Sequence, residues 1–413
     1  MTKYLCTLLC LFSSCGALAA YSNYSSILIG ERAAGMGGAY TAFTGDPAAC
    51  AYYNPATIAR MDGATLSAAV NVYHKYDTQF GDLDALEAAA LRVNRGSIVP
   101  IPASSGTVYS FGNFAVGLSI MFPDYDAYAG EVKTSNDVIS YMNLQDQSLW
   151  VGGSLGLNLT EKDAIGLTMY YTSRTFSRSL TDQLTTGGIT QVTNEEKLFT
   201  HNALVYILGY YHEINANWTA GLSYRLPSLS ISGQGSYLRT TIDTGGGATP
   251  TINKLKVPAS TRIPPRLNMG IGYQQPGKWA ATADVTYHGR ESYDDMKDVD
   301  AAERIRHRQT WNLAVGGEYF VRSWAAWRFG LYTNLASHGD IPDNVKSRQG
   351  DHLDMWGFST NFALFTTNRS TVTLGGYYSG GKGYSSQLVG QKISKIPKSV
   401  QIFSFLVGTS FQF

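Results

Sequence analysis

Apolar and polar residues alternate along most of this chain with the period of a β-strand. From Trp279 to His288, Trp279, Ala281, Ala283, Val285 and Tyr287 fall on one face and Ala280, Thr282, Asp284, Thr286 and His288 on the other. Trp218, Ala220, Leu222 and Tyr224 likewise oppose Thr219, Gly221, Ser223 and Arg225, and Trp327, Phe329 and Leu331 oppose Arg328, Gly330, Tyr332 and Asn334. Phe114–Phe122, Ile165–Tyr171, Trp311–Tyr319 and Val372–Tyr378 repeat the pattern, and the carboxyl end closes it with Phe403, Phe405, Val407, Phe411 and Phe413 on one face. Apolar side chains facing lipid, with small or polar ones facing a lumen, are the mark of a transmembrane barrel strand. Short turns are predicted near Gly112-Asn113, Thr160–Asp163, Ile214–Asn217, Gln275–Lys278, Phe320–Ala326 and Thr366–Arg369. Long polar loops are predicted near Asp77–Pro102, Pro123–Asp146, Ser177–Lys197, Leu226–Arg262, Gly289–Arg306, Ala336–Asp351 and Gly380–Ser399. Their alternation gives an all-β, antiparallel transmembrane barrel of about 14 strands with both termini on the periplasmic side.

The first residues carry a lysine, an apolar run from Tyr4 to Phe12 and a small-x-small site at Ala17-Leu18-Ala19, a secretory signal pattern. Cleavage there removes Cys6, Cys10 and Cys15 and leaves Cys50 alone, so the mature chain has no disulfide framework. The competing reading is lipidation at Cys15. The expected division is a signal peptide over 1–19, a plug over 20–62 and the barrel over 63–413. No stretch is apolar for the length of a spanning helix, which leaves a closed barrel as the way to cross a bilayer. Composition agrees: charged residues are 15%, below the roughly 25% of soluble domains, with 43 glycines and 27 tyrosines. A formal net charge of +1 provides no field for nucleic acid, which is excluded as a partner.

Between the signal and the first strand lies Gly30–Met61, too rich in glycine and alanine to form its own core. It reads as a plug, or hatch, seated inside the barrel. Its glycines Gly35, Gly37 and Gly38 lack the strand–loop–helix context of a phosphate loop and serve instead as close-packing positions. Asp46-Pro47 and Asn54-Pro55, followed by Ala56, mark tight turns. Asp82–Arg92 is predicted as a short helix at the barrel mouth, either capping it or lining a ligand groove.

The run Ala33–Ala59, above all Gly35-Met36-Gly37-Gly38 and Asn54-Pro55-Ala56, resembles the N-terminal hatch of the FadL-type long-chain fatty-acid outer-membrane transporters. Ile263-Pro264-Pro265-Arg266, Gly316-Gly317-Glu318-Tyr319, Arg328-Phe329-Gly330 and Ile341-Pro342 extend the resemblance into the second half. It implies a fourteen-stranded barrel in the bacterial outer membrane, plugged by the hatch, in which apolar ligands pass to an inner pocket and leave sideways through a gap at a distorted strand. Phe122-Pro123 is the candidate distortion, since proline cannot donate to a ladder, although Pro123 could equally end its strand.

Candidate ligand-binding residues are Arg225 and Arg328, whose inward guanidinium groups could meet a carboxylate, and Met121 and Phe122, with Tyr125, Tyr128, Tyr141 and Met142 as further groove candidates. Structural pairing is the competing account of Arg225, Arg328 and Asp284, and an interfacial girdle that of the aromatics. No catalytic motif, metal site or cofactor is expected; Asp294, Asp295, Asp298, Asp300 and Glu303 read as a solvated loop and Cys50 as a packed side chain. The expected partners are a hydrophobic small molecule, outer-membrane lipid and lipopolysaccharide, and the barrel-assembly machinery, with the protein a monomer. Uptake of long-chain fatty acids leads. Uptake of aromatic or aliphatic hydrocarbons and a structural or adhesive barrel without transport are the alternatives.

Overall fold

The computed structural model describes residues 23–80, 91–94, 101–135, 138–245, 252–297, 299, 304–345, 349–367, 369–389 and 392–413. The signal segment lies outside the described residues.

Fourteen antiparallel strands close into a barrel. They are β1 (Ala64–Phe80), β2 (Ile101–Ser110), β3 (Phe114–Ser135), β4 (Val138–Asn158), β5 (Asp163–Thr186) and β6 (Ile189–Glu213). β7 runs in two pieces, Trp218–Arg225 and Leu229–Asp243, and so does β8, as Ile252–Pro258 and Arg266–Gln275. The remainder are β9 (Trp279–His288), β10 (Thr310–Arg322), β11 (Ala325–Asn334), β12 (His352–Thr367), β13 (Ser370–Val389) and β14 (Lys392–Gln412). Closure comes from β1 pairing with β14, from Thr65 opposite Gln412 to Phe80 opposite Lys398. No helix among the described residues is long and apolar enough to cross a membrane.

The alternation read from the sequence becomes an inside and an outside. On β9, Trp279 is 41% exposed whereas Ala280, Thr282, Asp284 and His288 are buried. Rings gather toward each edge of the outward band: Trp218 meets Tyr273 edge-on and Tyr273 stacks on Trp279 at one, and Tyr287 leans against Trp311 at the other. Aromatic girdles of this kind suit the two bilayer interfaces.

The long segments predicted as loops are largely strand. β5 and β6 stay paired to Thr186 opposite Ile189, closing at Gly187-Gly188, and β13 and β14 stay paired to Val389 opposite Lys392. These hairpins rise beyond the apolar band because their inward side chains find partners there. Met142, Phe176, Leu180, Phe199, Tyr237, Val257 and Met296 form one buried cluster, with the Phe176 and Phe199 rings stacked at 4.9 Å. Around it Arg174 pairs with Asp146, Arg178 with Glu195 and Lys197 with Asp295. Of the predicted helix Asp82–Arg92, residues 82–90 lie outside the described residues, and Leu91–Asn94 is a strand paired with the top of β1. Asp294 is held by Arg304 at 3.0 Å, and no group of three or more potential metal ligands occurs among the described residues.

The hatch fills the lumen with two short helices, α1 (Glu31–Gly35) and α2 (Pro47–Tyr53), and a 3-10 turn over Pro55–Arg60. Wall glycines let its backbone come close. A Cβ on Gly166 would stand 2.3 Å from the Pro55 carbonyl carbon, and one on Gly330 2.2 Å from the Gly37 nitrogen. Replacing Gly166 by alanine therefore forces backbone against backbone and should destabilise the protein by about 1–3 kcal/mol. The expected result is a lowered unfolding temperature and raised ion conductance in planar bilayers. Gly153→Ala, whose new methyl would meet nothing closer than 3.9 Å, is the control expected to behave as the parent.

Candidate functional site

The site begins with how the hatch is fixed. Asp46 caps α2 through Ala49 N–H and also accepts from Arg32 N–H at 3.2 Å and Ser67 Oγ at 3.1 Å. Pro47 follows at the first helical position, where a missing N–H costs nothing. Asn54 does three things at once: its Oδ1 accepts from Ala56 N–H, and its Nδ2 donates to Thr41 O at 2.8 Å and to Tyr210 O of β6 at 3.0 Å. The Asn-Pro-Ala turn thus ties two parts of the hatch to the wall, and Gly209 provides the space, since a Cβ there would lie 2.2 Å from Asn54 Oδ1. Gly35 faces Asn361, while Gly37 and Gly38, at φ 69° and 78°, turn the chain along β11. Gly37 N–H donates to Ser359 Oγ at 2.9 Å.

Two wall carboxylates complete the seat. Asp284 Oδ2 accepts from Tyr40 N–H, Thr41 N–H and Thr41 Oγ1 at 2.7 to 2.8 Å. Glu318 binds hatch Arg32 at 2.7 Å and wall Arg328 at 2.6 Å. Arg328, expected as a ligand contact, is therefore placed in a structural triad beneath the hatch, because Glu318 stands opposite it on the neighbouring strand. Asp284 is a hatch anchor for the same reason. Within the hatch, burial pushes the Cys50 thiol up to about 11, in keeping with a packed and inert side chain.

Two cavities flank the hatch N-terminal segment. The larger holds about 690 Å³ of empty space, part of it open to solvent, and is bounded by hatch residues Tyr24 and Tyr52, by Pro123 and Asp124 of β3, Trp150 of β4, Arg174 of β5, His201 of β6, Arg225 and Ser228 near the break in β7, and Thr261–Pro264. The second, of about 520 Å³, lies between Ile27, Leu28 and Tyr53 of the hatch and Arg266, His288 and Tyr332 of the wall. Tyr24 and Tyr52 border both, with Tyr24 stacked on His288 at 4.2 Å. Burial raises the Tyr24 phenol above its ordinary range, so this partition stays uncharged.

Arg225 and Arg266 are the chemical focus. They are direct cross-strand partners on β7 and β8, both inward and buried at 3% and 4% exposure. Arg225 Nη2 donates to Pro264 O at 3.1 Å and Arg266 Nη2 to Tyr52 O at 2.6 Å, while the Nε of each has no partner. Their guanidinium carbons lie 5.9 Å from the Trp150 ring centre and 4.4 Å from that of Tyr52. Asp124, on the same cavity, already accepts from Ser148 at 2.9 Å. Among the described residues neither arginine has an ion-pair partner. Like charges set directly opposite destabilise a sheet, and the wall places no carboxylate within ion-pair distance of either among the described residues.

Met121 is fully buried beside Tyr52, Trp150 and Tyr170, with Phe122 and Tyr125 packed at the edge of the same cluster. Tyr141 points outward at 46% exposure and Met142 inward into the external cluster. At Phe122-Pro123 the β3–β4 register shifts, and the β2–β3 ladder ends at Ser104 opposite Met121. Pro123 thus sits inside a long strand rather than ending one. Sequence reasoning did not single out Arg266 or Tyr24 as cavity residues. Arg266 stood in a quoted motif, but its register against Arg225 is visible only in the folded sheet.

No curated protein matches the chain. Among solved structures, it is similar to a crystal structure of a Pseudomonas aeruginosa FadL homologue, at 16% identity, with 96% of this chain and 100% of that chain covered and a TM-score of 0.68. The P. putida toluene transporter TodX matches at 14% identity over 96% of this chain and 99% of that one, TM-score 0.64. The Ralstonia pickettii toluene transporter TbuX matches at 14% identity over 93% and 98%, TM-score 0.60. These likenesses concern the fold. The family described as outer membrane protein transport protein (OMPP1/FadL/TodX) matches residues 17–338, most of the chain, and the protein belongs to that family of outer-membrane β-barrels.

Proposed function

We propose that this protein is a passive uptake channel for hydrophobic compounds and that its ligands are long-chain fatty acids. One observation carries the choice of ligand: two buried arginines set opposite each other on adjacent strands, neither with an ion-pair partner among the described residues, Arg225 on the larger, aromatic-bordered cavity and Arg266 on the second. A carboxylate accepts from both guanidinium groups, and the acyl chain lies against Tyr52, Trp150 and the apolar surface around Met121. Cavities that are mostly apolar with a few placed polar groups suit single small ligands. The hatch blocks a straight aqueous path, and the ligand leaves the cavity sideways where β3 is irregular at Phe122-Pro123. In this reading export follows cleavage of the signal over 1–19, and the hatch yields enough to admit the ligand.

Hydrocarbon uptake is the second reading, favoured by the aromatic rings of the cavity and by the two similar structures described as toluene transporters. The arginines separate the two, since toluene has no group for them.

Arg225→Met is expected to weaken oleate binding to the purified barrel by about 10- to 100-fold, as a hydrogen bond to a charged group contributes ~1.5–3 kcal/mol. Binding of toluene should be unchanged; equal loss of both ligands, or neither, would overturn the carboxylate assignment. For the hatch, Asn54→Ala removes three hydrogen bonds that hold the turn. In cells lacking their own transporter it should slow oleate uptake while leaving the amount of folded barrel, read by heat-modifiable gel mobility, at the parental level.

A further inference from the structure

The barrel wall has a second interruption, where β7 passes β8. Their ladder ends at Gln234 opposite Pro258 and resumes only at Arg225 opposite Arg266. Between these points residues 259–265 turn into the lumen: Ala259 bridges to Met296 and Ser260 N–H donates to Asp295 O at 2.8 Å. Pro227, Pro258, Pro264 and Pro265 flank the detour, and none can donate to a ladder.

Deprived of its neighbour, the stretch Leu229–Ser232 is exposed on both faces. Leu229 is 57% and Ile231 54% exposed, and they prolong the outward apolar row of Trp218, Leu222 and Tyr224. The other edge of this stretch stays bonded to β6, with Leu229 opposite Leu204, so it belongs to the wall rather than to a free loop. In hydrocarbon, unpaired backbone is tolerated only where it lines a cavity or is covered by protein. A cavity is what lies behind it, since Ser228 and Ile263 both border the larger one. At its ends the gap is closed by Ala259 N–H donating to Gly233 O at 3.2 Å and Arg225 Nη2 to Pro264 O at 3.1 Å; between them Ser228 N–H donates to Ile263 O at 3.1 Å and Ile263 N–H to Ser228 Oγ at 2.9 Å.

We propose that this gap is a side port through which an apolar or amphipathic solute passes between the cavity and the outer leaflet, with the Ser228–Ile263 pair as its latch. The inference rests on the uptake reading. It adds to that reading a route distinct from the irregularity at Pro123, placed directly above the arginine pair. A solute whose carboxylate is held by Arg225 and Arg266 has its chain beside the latch.

The test is a tether across the latch in the full-length protein, Ser228→Cys with Ile263→Cys, assayed for oleate uptake before and after oxidation and again after reduction. Cys50 is buried and left in place, and each single-cysteine variant serves as an oxidation control. Oxidation of the double variant should lower uptake about tenfold, as expected when a gating step limits passage, with recovery on reduction. Oleate binding to the purified, oxidised protein should match that of the reduced form. Uptake unaffected by a tether that mass spectrometry shows to be complete would overturn the port while leaving the uptake reading intact. Absence of oleate uptake in the reduced variant and the parent alike would overturn the uptake reading, and the port with it.

Discussion

Backbone hydrogen bonding in a medium without water governs this structure. A strand in lipid must satisfy every N–H and C=O through its neighbours, which forces the sheet to close and leaves a lumen that something must fill. Here the filling is a peptide too small-sided to fold alone. It is held by polar side chains the wall directs inward: Asp284 on Tyr40 and Thr41, Glu318 on Arg32, Asn361 on Glu31. Glycines in the wall and the hatch then allow the two backbones to touch. Hatch and barrel are therefore one packed unit, and the space left over, above the hatch and beside β7 and β8, is where a solute can sit.

That space is electrically unlike the rest of the interior. The other buried arginines come matched, as in Arg174 with Asp146, Arg178 with Glu195 and Arg328 with Glu318. Matching is the expected state, because an isolated buried charge is expensive. Arg225 and Arg266 depart from it together, on adjacent strands, with their Nε atoms left open. Ring faces from Trp150 and Tyr52 offset part of the penalty.

Much of this was legible in the sequence where a single rule decides. Period-two alternation located Trp218–Arg225 and Trp279–His288 to the residue, and the small-residue run placed the hatch. The inward position of Arg225 followed from the same alternation. The external hairpins did not follow, because beyond the apolar band the outward residues, such as Ser173, Thr175 and Ser177, are polar and the pattern reads as loop. Their inward partners, Arg174, Phe176 and Arg178, reveal a strand only when the facing hairpin is known. Arg328 needed the same knowledge: its partner Glu318 lies ten residues away, but across a turn whose register the sequence leaves open. The prolines around the detour in β8 carry the same signal as Pro123, donors missing from a ladder.

The external hairpins, paired almost to their tips over a buried apolar cluster, have a consequence for what the mouth admits. Phe176, Phe199, Met142 and Met296 offer water nothing to bond, and the ions around them already have counterparts. A hydrated cation brought against this cluster would surrender its water shell without replacement, whereas a hydrocarbon chain exchanges one apolar neighbour for another. The external end of the barrel thus presents, between its ion pairs, a surface on which water gains nothing and an apolar chain gains contact.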